Sequence, residues 1–91
     1  MGTTPDESPK FSNNSMKGAF ANSNFNQDIS HWDTSYITDM SEMFYNATSF
    51  DRPLNNWDTS NVKNMSKMFY NATSFNQPLS NWDTANVTNM N

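Results

Sequence analysis

Enzymatic chemistry needs a nucleophile beside a base, a metal cluster, or a pair of poised carboxylates. The chain offers few residues of these kinds. It contains one histidine and no cysteine, and its only glycines, Gly2 and Gly18, cannot build a phosphate-cradling loop. His31 stands in a position that Asn56 and Asn81 take later in the chain. That exchange predicts a surface polar residue on a turn, outside any catalytic role. Asp33, Asp58 and Asp83 recur in the motif Trp-Asp-Thr at a spacing of 25 residues. If successive copies stack about 5 Å apart, the carboxylates repel, titrate abnormally or bind a cation. A calcium ladder is one reading, although calcium takes about six to eight oxygens and the Gly-rich spacing of calcium loops is missing. The reading adopted is a turn, each Asp accepting from the backbone N–H two residues on. Met40, Met43, Met65 and Met68 resemble a soft-metal set, but their spacing beside Phe fits packing. No catalytic, cofactor or metal residue is expected.

Composition narrows the partners. Five Lys and Arg against nine Asp and Glu give a net charge of −4 and a pI near 4.5. Phosphate binding rests on clustered Lys and Arg, so nucleic acid is excluded as an expected partner. An anionic membrane surface is disfavoured on the same ground. No apolar run approaches the roughly 18 residues that span a bilayer, and no secretory leader is legible. Without cysteine there is neither a disulfide framework nor a thiolate zinc site. Leu, Ile, Val and Phe number 13 against 16 Asn, 12 Ser and 9 Thr. Such a chain forms a core only if its apolar residues are concentrated.

A repeat concentrates them. Phe25, Phe50 and Phe75 are spaced by 25 residues, as are Trp32, Trp57 and Trp82. Residues 25–49 and 50–74 share 14 of 25 positions. A third copy, 75–91, stops partway, and a partial copy at 15–24 begins with Met16-Lys-Gly-Ala-Phe20 and is one residue short. Residues 1–14 read as a disordered polar leader. Columns such as 29/54/79, 37/62/87, 40/65/90 and 44/69 are always apolar, whereas 28/53/78, 31/56/81 and 38/63/88 change chemistry. This split predicts a solenoid with inward apolar columns and outward variable ones. The expected fold is an α/β repeat of leucine-rich-repeat type, with one short parallel strand and one short helix per coil, over three to four coils. Strands are predicted near 53–56 and 78–81, with further extended pieces near 60–62 and 85–87. A helix is predicted after Asp39, whose spacing to Glu42 matches a capping box, and after Asn64. Met40, Met43, Phe44 and Ala47 then share its buried face. Burying an aromatic side chain contributes about 2–3 kcal/mol, so the Trp column is read as core. Glu42 and Lys67 are expected to pair across the stack.

The run Trp57-Asp-Thr-Ser-Asn-Val62, with Met65-Ser-Lys-Met-Phe-Tyr-Asn-Ala-Thr-Ser-Phe-Asn76, resembles the short tandem repeat of bacterial surface lipoproteins, grouped with BspA-like leucine-rich-repeat surface proteins. The resemblance covers about residues 16–91. It departs from the pattern at the shortened first coil and at Ala85. It implies cell-surface display and binding or adhesion.

The expected function is a non-enzymatic surface repeat that binds a host or matrix protein. Asp28, Ser30, Pro53, Asn55, Pro78 and Ser80, flanking the inward Ile29, Leu54 and Leu79, would form its ligand surface. The alternatives are a structural spacer without a ligand, and glycan binding on an aromatic column of Trp or of Tyr45 and Tyr70. The Thr34, Thr59 and Thr84 column also raises a weak ice-binding idea. Because the last copy breaks off, the sequence further predicts a piece of a longer array or self-association through an open C-terminal coil.

Overall fold

The computed structural model describes residues 10–89. Each copy of the repeat lies on the one before it, forming a tier of a stack. Parallel bridges join Ser15 to Asp39, Asp39 to Asn64, and Asn64 to Asn89. Around these bridges the backbone runs in two alternating directions. The N–H groups of Met40, Glu42, Phe44 and Asn46 donate to the carbonyls of Asn64, Ser66, Met68 and Tyr70 in the next tier, at 2.8–2.9 Å. The intervening N–H groups of Met43, Tyr45 and Ala47 close turns on the carbonyls of Met40, Glu42 and Phe44. Met16, Gly18, Phe20 and Asn22 bond in the same way to Asp39, Ser41, Met43 and Tyr45. Every peptide group in this segment therefore finds a partner without a helix or a continuous strand.

The expected α/β solenoid of leucine-rich-repeat type is overturned. Among the described residues the regular secondary structure is a single 3-10 turn at Ser12–Asn14 together with the isolated bridges. The helices predicted after Asp39 and Asn64 are absent because Glu42, Asn46, Lys67 and Asn71 all have φ between 53° and 59°. Each sits third in a turn, where the chain must reverse its local hand, and a right-handed helix cannot pass through. Asp39 does not cap a helix. Its Oδ1 accepts from the Ser41 N–H and hydroxyl, at 2.9 and 2.7 Å, and Asn64 Oδ1 accepts from the Ser66 N–H. The strands expected near 53–56 and 78–81 are replaced by turns in which Trp57 and Trp82 donate back to Leu54 and Leu79 at 3.1 Å. The pieces near 60–62 and 85–87 give way to turns closed by Val62 on Thr59 and Val87 on Thr84.

The inward columns nevertheless form the core. Ile29, Ile37, Met40, Met43, Phe44, Ala47, Phe50, Leu54 and Val62 are all buried. Phe20, Phe44 and Phe69 stack from tier to tier at 5.5 and 5.4 Å, and Phe25, Phe50 and Phe75 at 6.1 and 5.9 Å. Within a tier the two ladders meet, with Phe44 and Phe50 rings 4.3 Å apart. Such pairs add about 0.5–1.5 kcal/mol each beyond the area they bury. Polar atoms that turn inward are satisfied between tiers. Trp57 Nε1 donates to Ile29 O, Trp82 Nε1 to Leu54 O, Thr34 Oγ1 to Asp58 O, and Thr59 Oγ1 to Asp83 O. The Thr column is thus an inter-tier fastener at Thr34 and Thr59, which are buried, and offers no flat surface array.

The shortened first copy closes differently. Where Phe44 and Ala47 use backbone turns, Ser23 Oγ donates to Phe20 O and accepts from the Phe25 N–H. One hydroxyl replaces one residue. Of the leader expected over 1–14, residues 1–9 lie outside the described residues. The remainder is engaged with the stack, the Phe11 N–H donating to the Tyr36 hydroxyl and the Phe11 ring lying 5.8 Å from Trp32.

Candidate functional site

The polar surface is organised by Asn and Asp side chains that accept from the backbone. In the Trp-Asp-Thr column, Asp33 Oδ1 accepts from the Ser35 N–H and hydroxyl at 3.0 and 2.6 Å, and Asp58 Oδ1 from Ser60 at the same distances. Asp83, facing Ala85, accepts from the N–H alone. The Ser hydroxyls, followed by the backbone N–H groups, hold the Asp33 and Asp58 carboxyls below their ordinary 3.8. One oxygen of each carboxylate is therefore tied to its own turn, as the turn reading anticipates. Second-tier neighbours do similar work: Asn46 Nδ2 donates to Asn22 Oδ1 and Asn71 Nδ2 to Asn46 Oδ1, each at 2.9 Å. This ladder lies on the left-handed residues of the turns. Asn61 and Asn86 reach across to the carbonyls of Ser35 and Ser60 at 2.6 Å.

The six residues expected to bind a partner flank Ile29, Leu54 and Leu79, three just before and three just inside the turns that these residues open. Asp28, Pro53, Pro78 and Ser80 are exposed, and Ser30 and Asn55 are half-exposed. No strand carries them, so the expected strand face becomes a face of stacked loops. The Ser30 N–H and hydroxyl donate to Asp28 Oδ1 at 3.0 and 2.8 Å. These bonds, the backbone one foremost, hold the Asp28 carboxyl below 3.8, with His31 and Arg52 adding attraction. Asn55 Oδ1 accepts from the Asn81 N–H at 2.9 Å, fixing the second tier to the third. Pro53, Pro78 and Ser80 share the face through the stacking of the tiers.

Sequence reasoning missed a column beside them. The Asp51 N–H donates to Asn26 Oδ1 and the Asn76 N–H to Asp51 Oδ1, both at 3.0 Å. Gln77 Nε2 also donates to Asp51 Oδ1, and Arg52 Nε donates to Asn26 O and Oδ1. The Asp51 carboxyl is lowered, by the Gln77 amide first and then by the Asn76 N–H. Asn26, Asp51 and Asn76 recur 25 residues apart, and that spacing was the available signal. The face grades along the stack from charged, at Asp28, His31 and Arg52, to neutral at Pro78, Ser80 and Asn81.

The aromatic columns part company. Trp57 is buried, Trp32 and Trp82 are half-buried, and the indole N–H groups of Trp57 and Trp82 point into the stack. Tyr45 and Tyr70 stack on the outside with ring centroids 5.0 Å apart, and Tyr70 is 55% exposed. Lys67 does not reach Glu42; its Nζ lies over the Tyr70 ring, 6.0 Å from the centroid. Beside Tyr70, among the described residues, lies a recess of about 530 Å³ lined by Met65, Met68, Phe69, Tyr70, Leu79, Trp82 and Thr84.

A family model described as Mycoplasma protein of unknown function, DUF285, matches residues 12–91. No curated protein and no solved structure matches the chain.

Proposed function

The chain belongs to the DUF285 family, and within it we propose a non-enzymatic, cell-surface repeat module that binds a protein partner through its loop face. The observation that carries the reading is a division of labour. The Phe ladders and the turn-closing columns hold the tiers together, whereas Asp28, Ser30, Pro53, Asn55, Pro78 and Ser80 lie outside the ladders and change chemistry from tier to tier, Asn55 alone of the six bonding its side chain to another tier. A face that can vary without disturbing its scaffold suits recognition. Surface display rests on the resemblance of the Trp-Asp-Thr and Met-Phe-Tyr motifs to surface-protein repeats.

The test is adhesion of beads coated with the 91-residue chain to cultured cells and to basement-membrane matrix. Replacing Pro53, Pro78 and Ser80 by Lys changes the character of the face while leaving the Phe ladders and the bonds accepted by Asp28 and Asn55 intact. Loss of adhesion with an unchanged melting temperature supports the reading. Adhesion equal to that of the parent chain rejects it in favour of a structural spacer. A second reading, glycan binding, is favoured by the exposed Tyr70 ring beside Lys67, and it predicts that Tyr70→Ala abolishes adhesion where the Lys variant does not.

A further inference from the structure

The segment Phe11–Asn14 departs from the 25-residue pattern, yet it is held on the first tier at three points. The Phe11 N–H donates to the Tyr36 hydroxyl at 2.8 Å, and the Phe11 ring lies 5.8 Å from that of Trp32, tilted by 51°. Asn14 O accepts from the Thr38 N–H at 2.8 Å and from the Thr38 hydroxyl at 3.3 Å, as Lys63 O accepts from both groups of Thr88. Tyr36 is the specialised part of this seat. Its column holds Asn61 and Asn86, whose Nδ2 atoms donate to the Ser35 and Ser60 carbonyls at 2.6 Å. Counted through the Ser15–Asp39 bridge, Phe11 stands one copy before Ser35. At that register Tyr36 presents a longer side chain, and it accepts from an N–H where the Asn residues donate to a carbonyl.

The segment in this seat is lightly held. Asn13 and Asn14 both lie in the left-handed region, with φ of 58° and 55°, which costs an L-residue energy. Ser12, Asn13 and Asn14 are exposed, and Phe11 is half-buried outside the Phe ladders. Segments with few buried contacts open without the rest of the structure.

We propose that Trp32, Tyr36 and Thr38 form a peptide-binding site, that Phe11–Asn14 fills it as a built-in ligand, and that an aromatic-bearing segment of a partner protein takes its place. The seat reads three features of a segment. An aromatic ring lies against Trp32, the N–H of the same residue meets the Tyr36 hydroxyl, and a carbonyl three residues on meets Thr38. Two of the three are backbone groups, as where an extended peptide is added to a sheet edge, so the aromatic ring carries the side-chain selectivity. Because it is tethered, the built-in segment acts at a high effective concentration and holds the site against weak competitors. The site uses none of the six loop-face residues, and it stands apart from the adhesion reading.

The probe is the end-blocked peptide Lys-Phe-Ser-Asn-Asn-Ser, which copies residues 10–15, added to the whole chain and to its Phe11→Ala variant. That variant empties the ring's seat and leaves the Phe ladders in place. Acrylamide quenching of the variant's tryptophan emission should fall as the peptide binds, because Trp32 is the tryptophan that the Phe11 ring covers. The parent chain should need about tenfold more peptide or beyond. The peptide Lys-Ala-Ser-Asn-Asn-Ser should leave quenching unchanged, and adding Tyr36→Phe to the variant should weaken binding roughly fivefold, the effect of one hydrogen bond. Hydrogen exchange on the parent chain is a second measurement that needs no variant. The Phe11 and Thr38 N–H groups should exchange about tenfold faster than that of Lys63, which makes the equivalent bond to Thr38 one tier on. Exchange no faster than at Lys63 would overturn the proposal, since the segment would then open only with the tiers. A folded Phe11→Ala chain that ignores the peptide, equal binding of the alanine peptide, equal affinity in parent and variant, or no effect of Tyr36→Phe would overturn it too.

Discussion

At the scale of single residues, the molecule is held by short polar side chains that accept from the backbone close by or one tier away. Asp28, Asp33, Asp51 and Asp58 each accept two bonds on one oxygen, and all four carboxyls are held below 3.8. Their folded pKa values are lower than the unfolded ones, so the native state binds protons more weakly. The stabilisation is then fully present above the unfolded value of 3.8 and is lost as pH falls below it through the folded values. Thermal melts should show a melting temperature that is level from pH 7 to about 5 and declines below about 4. Asn64 already accepts the Ser66 N–H as Asp58 accepts that of Ser60, which makes Asn a workable substitute. Replacing all four Asp by Asn should flatten the acid limb, and an unchanged limb would show that other groups carry the acid sensitivity. The sequence disclosed this role for the Trp-Asp-Thr column because Asp stood two residues before Ser. It did not disclose it for Asn26 and Asp51, where donor and acceptor lie in different tiers.

At the scale of the element, the decisive feature is the hand of the turn. Met40, Met43, Phe44 and Ala47 have helical spacing, but consecutive four-residue turns place the same four side chains on the same side. Hydrophobic spacing alone therefore made the inward face legible while leaving the backbone path ambiguous. Gly18 was the discriminating residue: it occupies the column of Glu42 and Lys67 and has φ +66°. A glycine in the middle of a predicted helix costs about 1 kcal/mol, whereas the left-handed region costs a non-glycine residue roughly 1–2 kcal/mol. The two geometries give opposite signs. Glu42→Gly should be neutral or stabilising by up to about 1 kcal/mol in chemical denaturation, and Lys67→Gly should behave alike. A loss of about 1 kcal/mol in both would mean that the segment is helical.

At the scale of the whole molecule, the 25-residue period is also the period of the contacts, which is why the tier boundaries could be read from Phe and Trp alone. Each inner tier touches one neighbour above and one below, so stability accumulates tier by tier. The order of tiers then matters less than their phase. Removing residues 50–74 joins Ser49 to Phe75 and leaves every column in register, with Phe44 able to meet Phe75 as it now meets Phe50. That chain should fold with a cooperative melt at a lower temperature, having lost one tier interface. Phase errors should be tolerated in one place only. The first copy already omits one residue between Phe20 and Phe25, where the Ser23 hydroxyl closes the gap. Deleting Ser49 from the full chain together with Ala47→Ser, which restores that hydroxyl at the corresponding bend, should therefore cost little. Deleting Ser41 should prevent folding, because it moves Met43, Phe44 and Ala47 off the buried side and shifts the three inter-tier N–H groups of Glu42, Phe44 and Asn46 out of line with Ser66, Met68 and Tyr70. Circular dichroism and thermal melts on the three deletions decide the matter: equal tolerance of the Ser41 and Ser49 deletions would show that register is set elsewhere than in the ladder of turns.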